Sequence, residues 1–341
     1  MIQTVYDAKY EKKLAELFDR FMPEKIYDAH FHICQEYADK TGYTGDPYDQ
    51  YTEFMQRYIG RKIAGGLIMA SASSKHTPQM LDKENDYVLS IARREGLEVG
   101  LLMNPSYTKE KAIRMMAEHP EIGALKPYLT YSTAEDNYES DLFEFAPEWM
   151  FELADEREMP IIIHLSHYQD MLSDERNIRD IRYVSKKYPK AKIVLAHCAM
   201  GHHLQKLKWG LEKIADLENI WFDCSGSAEA LTIYYCLKTF GVDKMLYGDD
   251  FNHGANPGRI VSFGANFFGF HPDFVTNTDL VPDYRYQPMD NARECLLALL
   301  EAAELLDLSR EDINKIFYEN AVKIYKRKLL FTKNNNKSSA F

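Results

Sequence analysis

Residues 25–32 read KIYDAHFH, an apolar run that ends in two histidines at positions i and i+2. Side chains along a β-strand alternate between two faces, so His30 and His32 would share one face of a single strand. Two imidazoles side by side at a strand end can bind one divalent metal ion, whereas a helical zinc site needs histidines at i and i+4. The stretch therefore predicts a strand that carries part of a metal site. Taken alone, the pair is equally compatible with two histidines that solvate a strand end.

Seven further apolar runs follow along the chain, and amphipathic stretches separate them. Continuous apolar strands that alternate with helices are typical of a parallel sheet covered on both faces. Eight such units in succession favour a (β/α)8 TIM barrel over an open doubly wound sheet. We predict strands at residues 25–30, 65–70, 98–103, 122–126, 160–164, 192–197, 219–223 and 244–248. We predict helices at residues 8–21, 82–95, 109–119, 148–157, 178–188, 204–217 and 227–240, with extra terminal helices within 291–327.

Two connections, residues 33–63 and 252–290, are too long to be plain loops and are rich in aromatic residues. Both would emerge at the C-terminal face of the barrel, where active sites lie. Their aromatic side chains would either cap a pocket or pack an oligomer interface, and the sequence leaves both interpretations open. We expect residues 1–327 to form a single domain and residues 328–341 to form a disordered tail.

Charge and composition exclude several classes of protein. The chain carries 41 Lys+Arg against 52 Asp+Glu, a formal net charge of −11, which argues against a nucleic-acid partner. The start of the chain lacks the apolar core of a signal peptide, and no stretch approaches the roughly 18 apolar residues of a membrane span. Its 5 cysteines have no CxxC spacing and are typical of reduced thiols. We expect a cytoplasmic protein that acts on a small molecule and binds neither nucleic acid nor membrane.

The residues able to bind a metal share one position, the carboxyl end of a predicted strand. A barrel brings those ends to a single rim, where their side chains can converge on its axis. Neutral imidazoles and a carboxylate around an open position suit zinc, and also manganese or iron. The residues at this rim are His30 and His32 on the first strand, Lys126 on the fourth, His164 on the fifth, His197 on the sixth and Asp250 after the eighth.

The order HxH, Lys, His, His, Asp along eight βα units resembles the amidohydrolase superfamily. Four motifs resemble more closely the amidohydrolase-2 branch of that superfamily. They are YDAHFH at 27–32, IVLAH at 193–197, LYGDDF at 246–251 and ENA at 319–321. The resemblance implies a metal-dependent hydrolase that acts on a small ester, lactone or amide. Because the branch also contains nonoxidative decarboxylases of aromatic and muconate-type acids, a lyase of that kind is the alternative. The resemblance further implies a homodimer.

The resemblance also implies roles for individual residues. His30, His32, His164 and Asp250 would hold a single metal ion, most simply zinc, and Asp250 would also take a proton from the attacking water. His197 would stand beside the metal as an orienting or acid–base group.

Three points stay open within that assignment. Asp249 is adjacent to Asp250 and also acidic, so the ligand could be displaced by one residue. Lys126 would either bridge two metals as a carboxylated lysine or bind a substrate carboxylate, and we favour the mononuclear site. Tyr128, His167 and Arg57 are weaker candidates for contacts to an anionic substrate, with surface positions as the alternative. We expect the pair at residues 202–203 to begin a helix and not to bind the metal.

Overall fold

The computed structural model describes residues 4–5, 8–34, 45–167, 169–270, 285–286 and 289–326. Eight parallel strands form one sheet, in which each strand pairs with its neighbour in sequence. The strands are β1 Tyr27–Ile33, β2 Gly65–Ala70, β3 Glu98–Met103, β4 Ile122–Pro127, β5 Pro160–Ile163, β6 Lys192–Leu195, β7 Ile220–Asp223 and β8 Met245–Leu246.

Backbone hydrogen bonds join β1 to the chain that follows β8 and close the sheet into a barrel. The Ala29 N–H donates to the Tyr247 carbonyl at 2.8 Å, and the Asp250 N–H donates to the His30 carbonyl at 2.8 Å. A third bond runs from the His32 N–H to the Phe251 carbonyl. The predicted (β/α)8 barrel is confirmed.

The strands bury both of their faces, as their continuous apolar sequences predict. One set of side chains fills the barrel interior, and the other packs against the surrounding helices. The interior is closed at its lower end by the final helix, whose Tyr325 ring stacks on Tyr27 with centroids 6.1 Å apart. The opposite end of the barrel stays available for a site.

Helices alternate with the strands and lie outside the barrel. Proline and capping residues set several starts; the third helix, for example, begins at Pro78 because the Thr77 side chain caps it. The helices are α1 Ala8–Phe21, α2 Pro47–Ile59, α3 Pro78–Glu95, α4 Lys109–Glu118, α5 Leu142–Phe145, α6 Glu148–Glu156, α7 Glu175–Lys187, α8 Leu204–Ile214, α9 Ala230–Phe240, α10 Asn291–Leu305, α11 Arg310–Asn314 and α12 Asn320–Tyr325. A π-helical turn, Lys315–Glu319, joins the last two. No helix in the described ranges is both long and apolar enough to cross a membrane.

The predicted strand at 192–197 is too long, because the chain leaves β6 after Leu195. His197, Cys198, Ala199 and Met200 then form one left-handed turn, with φ of 56°, 50°, 59° and 56°. Such a conformation costs roughly 1–2 kcal/mol per non-glycine residue, so the surrounding contacts must hold it in place.

The first long connection contributes helix α2, whose aromatic residues are buried against the barrel. The Tyr51 ring stacks on Phe31 of β1 with centroids 4.2 Å apart. Residues 35–44 of this connection lie outside the described ranges. The aromatic residues that the structure describes here therefore pack the barrel wall.

The second long connection contributes a hairpin, β9 Arg259–Phe263 paired with β10 Asn266–Phe270. Phe267 is buried, whereas Phe263 and Phe268 are exposed. Residues 271–284 and the tail at 328–341 lie outside the described residues. An oligomer interface at the exposed aromatic residues, and the homodimer itself, stay predictions.

Candidate metal centre

A β-bulge in β1 places the two histidines of the HxH pair inside the barrel. Tyr27 and Ala29 face the interior, and the pairing of β1 with β2 then shifts register between Asp28 and Phe31. After this shift, Phe31 packs against α2, whereas the rings of His30 and His32 lie inside. A bulge re-aims the side chains that follow it, which is its effect here.

Four histidines at this end of the barrel each place ring nitrogen Nδ1 beside an oxygen acceptor. The pairs are His30 Nδ1 with Asp223 Oδ2 at 3.0 Å, His32 Nδ1 with the Ala70 carbonyl at 2.8 Å, His164 Nδ1 with the Leu165 carbonyl at 3.2 Å and His197 Nδ1 with the Ser225 carbonyl at 3.0 Å. A carbonyl or carboxylate oxygen only accepts, so these partners assign the proton to Nδ1 in every ring.

Ser225 does not change this assignment for His197, although its hydroxyl also lies 2.9 Å from Nδ1. That hydroxyl donates its proton to Asp223 Oδ1 at 2.5 Å, so towards His197 it can only accept. The neutral imidazoles therefore all carry their lone pair on Nε2. Four lone pairs at one end of a barrel form an environment that favours a cation.

The Nε2 atoms of His30 and His32 lie 3.2 Å apart, which is unfavourable for two lone pairs unless a cation lies between them. Asp250 Oδ1 lies 3.7 Å from the first and 3.9 Å from the second. A tetrahedral zinc ion with ligands at about 2.1 Å separates neighbouring donors by about 3.4 Å. The three donor atoms therefore fit one divalent ion of this size. His164 does not belong to this close group among the described residues.

The two adjacent aspartates after β8 face different surroundings. Asp250 directs its carboxylate toward the histidines. Asp249 is buried beside Asp28, whose Oδ1 accepts from the Asp249 backbone N–H at 3.2 Å. Asp28 also accepts from the Tyr51 hydroxyl at 2.8 Å, which ties helix α2 to β1. The geometry favours Asp250 over Asp249 as the metal ligand.

Burial keeps the imidazoles neutral, the form that binds metal. It lowers the pKa of His30 to about 4 and that of His32 to about 3, and the positive charge of Lys126 adds to both shifts. The pKa values of His164 and His197 also fall well below the usual range, mainly through burial. Burial alone would raise the pKa of Asp223, but its interaction with His30, including the hydrogen bond from Nδ1, lowers it.

Lys126 is the cation of this region and is fully buried. Its Nζ atom has no hydrogen-bond partner among the described residues and lies 5.3 Å from the centroid of the Tyr128 ring. Burial lowers the pKa of Lys126 to about 8, while Asp223 and Asp250 oppose the shift. Lys126 does not line the cavity that opens above these residues, whereas Tyr128 does.

A cavity of about 400 Å³ opens above these residues. His32, His164, His197 and Asp250 form its floor, and hairpin residues form part of its wall. The remaining described lining residues include no lysine, arginine, aspartate or glutamate: Ser71, Ala72, Tyr128, Leu129, Thr130, Tyr138, Met200, His202, Gly226, Asn252, His253, Ile260 and Phe267. An open cavity above a cluster of free donor atoms has room for a small substrate beside a metal ion.

The family model for amidohydrolases matches residues 27–327, which is most of the chain. The chain belongs to the amidohydrolase family. This match includes every strand of the barrel and every residue of the candidate centre, and the family assignment made from the sequence is confirmed. No curated protein matches this amidohydrolase.

Solved structures with the same fold cover nearly the whole amidohydrolase barrel at low identity. A Burkholderia multivorans amidohydrolase with bound zinc is 15% identical, with a TM-score of 0.56, covering 88% of this chain and 99% of that one. A 2,6-dihydroxybenzoate decarboxylase with bound 2,6-dihydroxybenzoate is 13% identical, with a TM-score of 0.57, covering 89% and 100%. The 4-oxalomesaconate hydratase of Rhodopseudomonas palustris is 16% identical, with a TM-score of 0.52, covering 88% and 95%. These likenesses establish the fold and leave the reaction open.

Two of the weaker candidates for substrate contacts lie away from the cavity. Arg57 is exposed on α2, with its guanidinium over the Phe54 ring. His167 is buried outside the cavity lining, between Glu139 and Asp141 at 3.3 Å and 3.4 Å. The structure therefore brings only Tyr128, of these three, to the cavity.

Sequence reasoning missed Asp223, Ser225 and His202. Asp223 lies at the carboxyl end of β7, the same position that the histidines take on their strands. That shared position could have identified Asp223 from the sequence as a candidate site residue. Ser225 acts through Asp223 and carries no such signal. His203 caps helix α8, as expected for a residue that begins a helix. His202, by contrast, is buried and lines the cavity.

Proposed function

We propose that this amidohydrolase is a metal-dependent hydrolase that acts on a small, uncharged ester, lactone or amide. The observation that carries the proposal is the convergence of His30 Nε2, His32 Nε2 and Asp250 Oδ1 at the floor of an open cavity. His164 lies at the same floor and is the further ligand that the family resemblance implies. The zinc in the Burkholderia relative makes zinc the first metal to test.

A divalent ion, when bound there, polarises a substrate carbonyl and lowers the pKa of water so that hydroxide forms near neutral pH. The protein residues supply the proton transfers. Asp250 Oδ2 lies on the cavity side, facing Gly226, and can accept a proton from water and return it to the leaving group. His197 offers Nε2 as an acceptor and so acts as an orienting or basic group; in this tautomer it cannot donate to an oxyanion from that atom.

The cavity lining favours an uncharged substrate. Among the described residues that line it, none is a lysine or arginine, and Lys126 lies outside the lining. A decarboxylase of aromatic or muconate-type acids, the alternative reaction, acts on a carboxylate, which would find only the metal ion and no lysine or arginine in the described lining as a partner. Hydrolysis of a neutral acyl compound is therefore the better match.

The decisive experiment is a substrate screen on protein whose metal content has been measured. Acid release from lactones, esters and amides is followed beside carbon dioxide release from aromatic and muconate-type acids. We expect acid release with about one metal ion per chain. Carbon dioxide release without any acyl hydrolysis would overturn the hydrolase proposal in favour of the decarboxylase. About two ions per chain would instead promote Lys126 to a bridging ligand.

Removing one donor tests the centre itself. His32→Ala and Asp250→Asn should each reduce kcat/KM by about a thousand-fold or more, because metal polarisation contributes several kcal/mol to the barrier. Circular dichroism should show an intact barrel in both variants. Asp243→Asn, which alters an exposed ion pair with Lys315, serves as the control and should keep full activity. Turnover within tenfold of wild type in either donor variant would contradict the assignment.

A further inference from the structure

His202 is a buried histidine that takes no part in the candidate metal centre. It directly follows the left-handed turn at residues 197–200 and Gly201, and only 4% of its surface is exposed. Its backbone N–H donates to the Met200 carbonyl at 2.8 Å, which fixes the backbone that carries the ring. The side chain lines the same cavity as the candidate metal centre. It belongs to neither close group of donor atoms among the described residues, which are His30, His32 and Asp250 and, overlapping it, His30, His197 and Asp223.

The ring of His202 is held by packing and not by hydrogen bonds. It lies against Phe267 of the hairpin, with ring centroids 4.8 Å apart and a tilt of 52°. Within the described ranges no side-chain hydrogen bond of His202 is found, yet neither ring nitrogen is among the fully buried atoms that lack a partner. The ring therefore reaches the cavity, which it lines. A substrate that displaces water from these nitrogens without replacing the hydrogen bond would lose about 1–3 kcal/mol, so a polar group of the substrate is favoured there.

The surroundings of His202 define the chemistry of that partner. Met200, Ile260 and Phe267 give this part of the cavity apolar walls. The nearby titratable group is His253, which also lines the cavity. Burial, followed by the charge of His253, lowers the pKa of His202 to about 4, so the ring is neutral at neutral pH. A neutral imidazole offers one donor and one acceptor, which match a hydroxyl group, and it does not attract an anion.

We propose that His202 is a specificity-determining residue that binds an uncharged hydroxyl group of the substrate, remote from the acyl group. This inference rests on the proposed function and narrows its substrate to small hydroxylated esters, lactones or amides. An apolar or aromatic ring would lie between the two polar ends, against Phe267 and Ile260. The acyl group would then lie over the floor of the cavity.

A matched pair of substrates tests this role. Kinetics are measured with methyl benzoate and its 3- and 4-hydroxy derivatives on wild type, His202→Phe and the control His119→Phe. His119 lies outside the cavity and contacts Arg93. In His202→Phe, the preference for the better hydroxylated ester over methyl benzoate should fall about 10- to 100-fold, the size expected for one buried hydrogen bond. The control should keep the wild-type preference.

Comparing each ratio with wild type cancels the electronic effect of the hydroxyl on the ester. His202→Gln keeps a donor and an acceptor and should retain most of the preference, which guards against a folding defect in the phenylalanine variant. An unchanged preference in a folded His202→Phe would overturn the inference while leaving the hydrolase proposal intact.

Calorimetry separates this inference from the reaction. Binding of benzamide and of 3- and 4-hydroxybenzamide is titrated into the same variants, and no turnover is needed. If no ester is hydrolysed but a hydroxyamide binds at least tenfold more tightly than benzamide in wild type only, the proposed reaction fails and the role of His202 stands. Equal affinities for all three amides in wild type, or a preference that survives in His202→Phe, would overturn the role of His202.

Discussion

Asp223 contacts His30 on the ring nitrogen Nδ1, opposite the Nε2 atom that lies near His32 and Asp250. Its two oxygens are fully used: Oδ2 accepts from His30 Nδ1, and Oδ1 accepts from the backbone N–H and the hydroxyl of Ser225 and from the His197 backbone N–H. The carboxylate therefore fixes the tautomer and orientation of His30 and also anchors the first residue of the left-handed turn. Such outer partners commonly tune the affinity of a metal site.

Asp223→Asn should weaken metal binding by about 10- to 100-fold, because an amide replaces one acceptor oxygen by a donor that opposes its present partners. Competition against a chromogenic chelator measures the change. Asp216→Asn is the matched control, since Asp216 is exposed and pairs with Arg182. A metal affinity equal to wild type would show that Asp223 is only a structural group.

Asp28 shows where residue-level prediction from the sequence fails. Alternation with a period of two gives Asp28, His30 and His32 the same face of β1. The bulge breaks that alternation, so Asp28 bonds to Tyr51 outside while the histidines stay inside. Both histidines of the motif follow the bulge, so both rings lie inside the barrel. The partner of Asp28 could not be predicted, since it depends on a helix that the sequence pattern did not reveal.

At the scale of single elements, two helix ends show how residue choice and backbone conformation are related. Gly96 ends α3 at φ +71° with open space where a Cβ would be, so backbone conformation alone favours glycine there. Asp307, after α10, adopts φ 50° without being glycine. The two positions carry the same left-handed conformation with opposite residue choices.

Exchanging these choices should change stability in opposite directions. Gly96→Ala should lower the free energy of unfolding by about 1 kcal/mol, since the new Cβ meets no neighbour but strains the backbone. Asp307→Gly should raise it by somewhat less, because glycine also adds entropy to the unfolded chain. Denaturant unfolding of both variants measures the difference. A loss of stability in both would show that side-chain contacts, and not backbone strain, decide these positions.

The left-handed turn at residues 197–200 could not be predicted from the sequence. Its residues are His-Cys-Ala-Met with no glycine until Gly201, so nothing local favours positive φ. Long-range bonds impose it, above all the bond from the His197 N–H to Asp223 on the neighbouring strand. The eight strands, by contrast, could be predicted from the sequence, because a strand that is buried on both faces has a continuous apolar sequence.

At the scale of the whole molecule, metal binding should be coupled to stability. A ligand that binds only the folded state adds about 2.7 kcal/mol of apparent stability when its free concentration is a hundred times Kd. Chelation should therefore lower the Tm by several degrees, and added zinc should restore it. Differential scanning calorimetry measures the shift, and His32→Ala should abolish it. The same Tm with and without chelator in wild type would contradict a metal site at this position.

The hydrogen bonds that close the barrel join segments that the ribosome makes at very different times. The chain emerges from its amino end, so His30 and His32 exist long before Asp250 does. Asp28 and Asp249, which touch beside the centre, are 221 residues apart along the chain. Every nascent chain that lacks the last strand therefore carries histidines without their carboxylate. Closure of the barrel and completion of the candidate metal centre therefore both wait for the segment that follows β8.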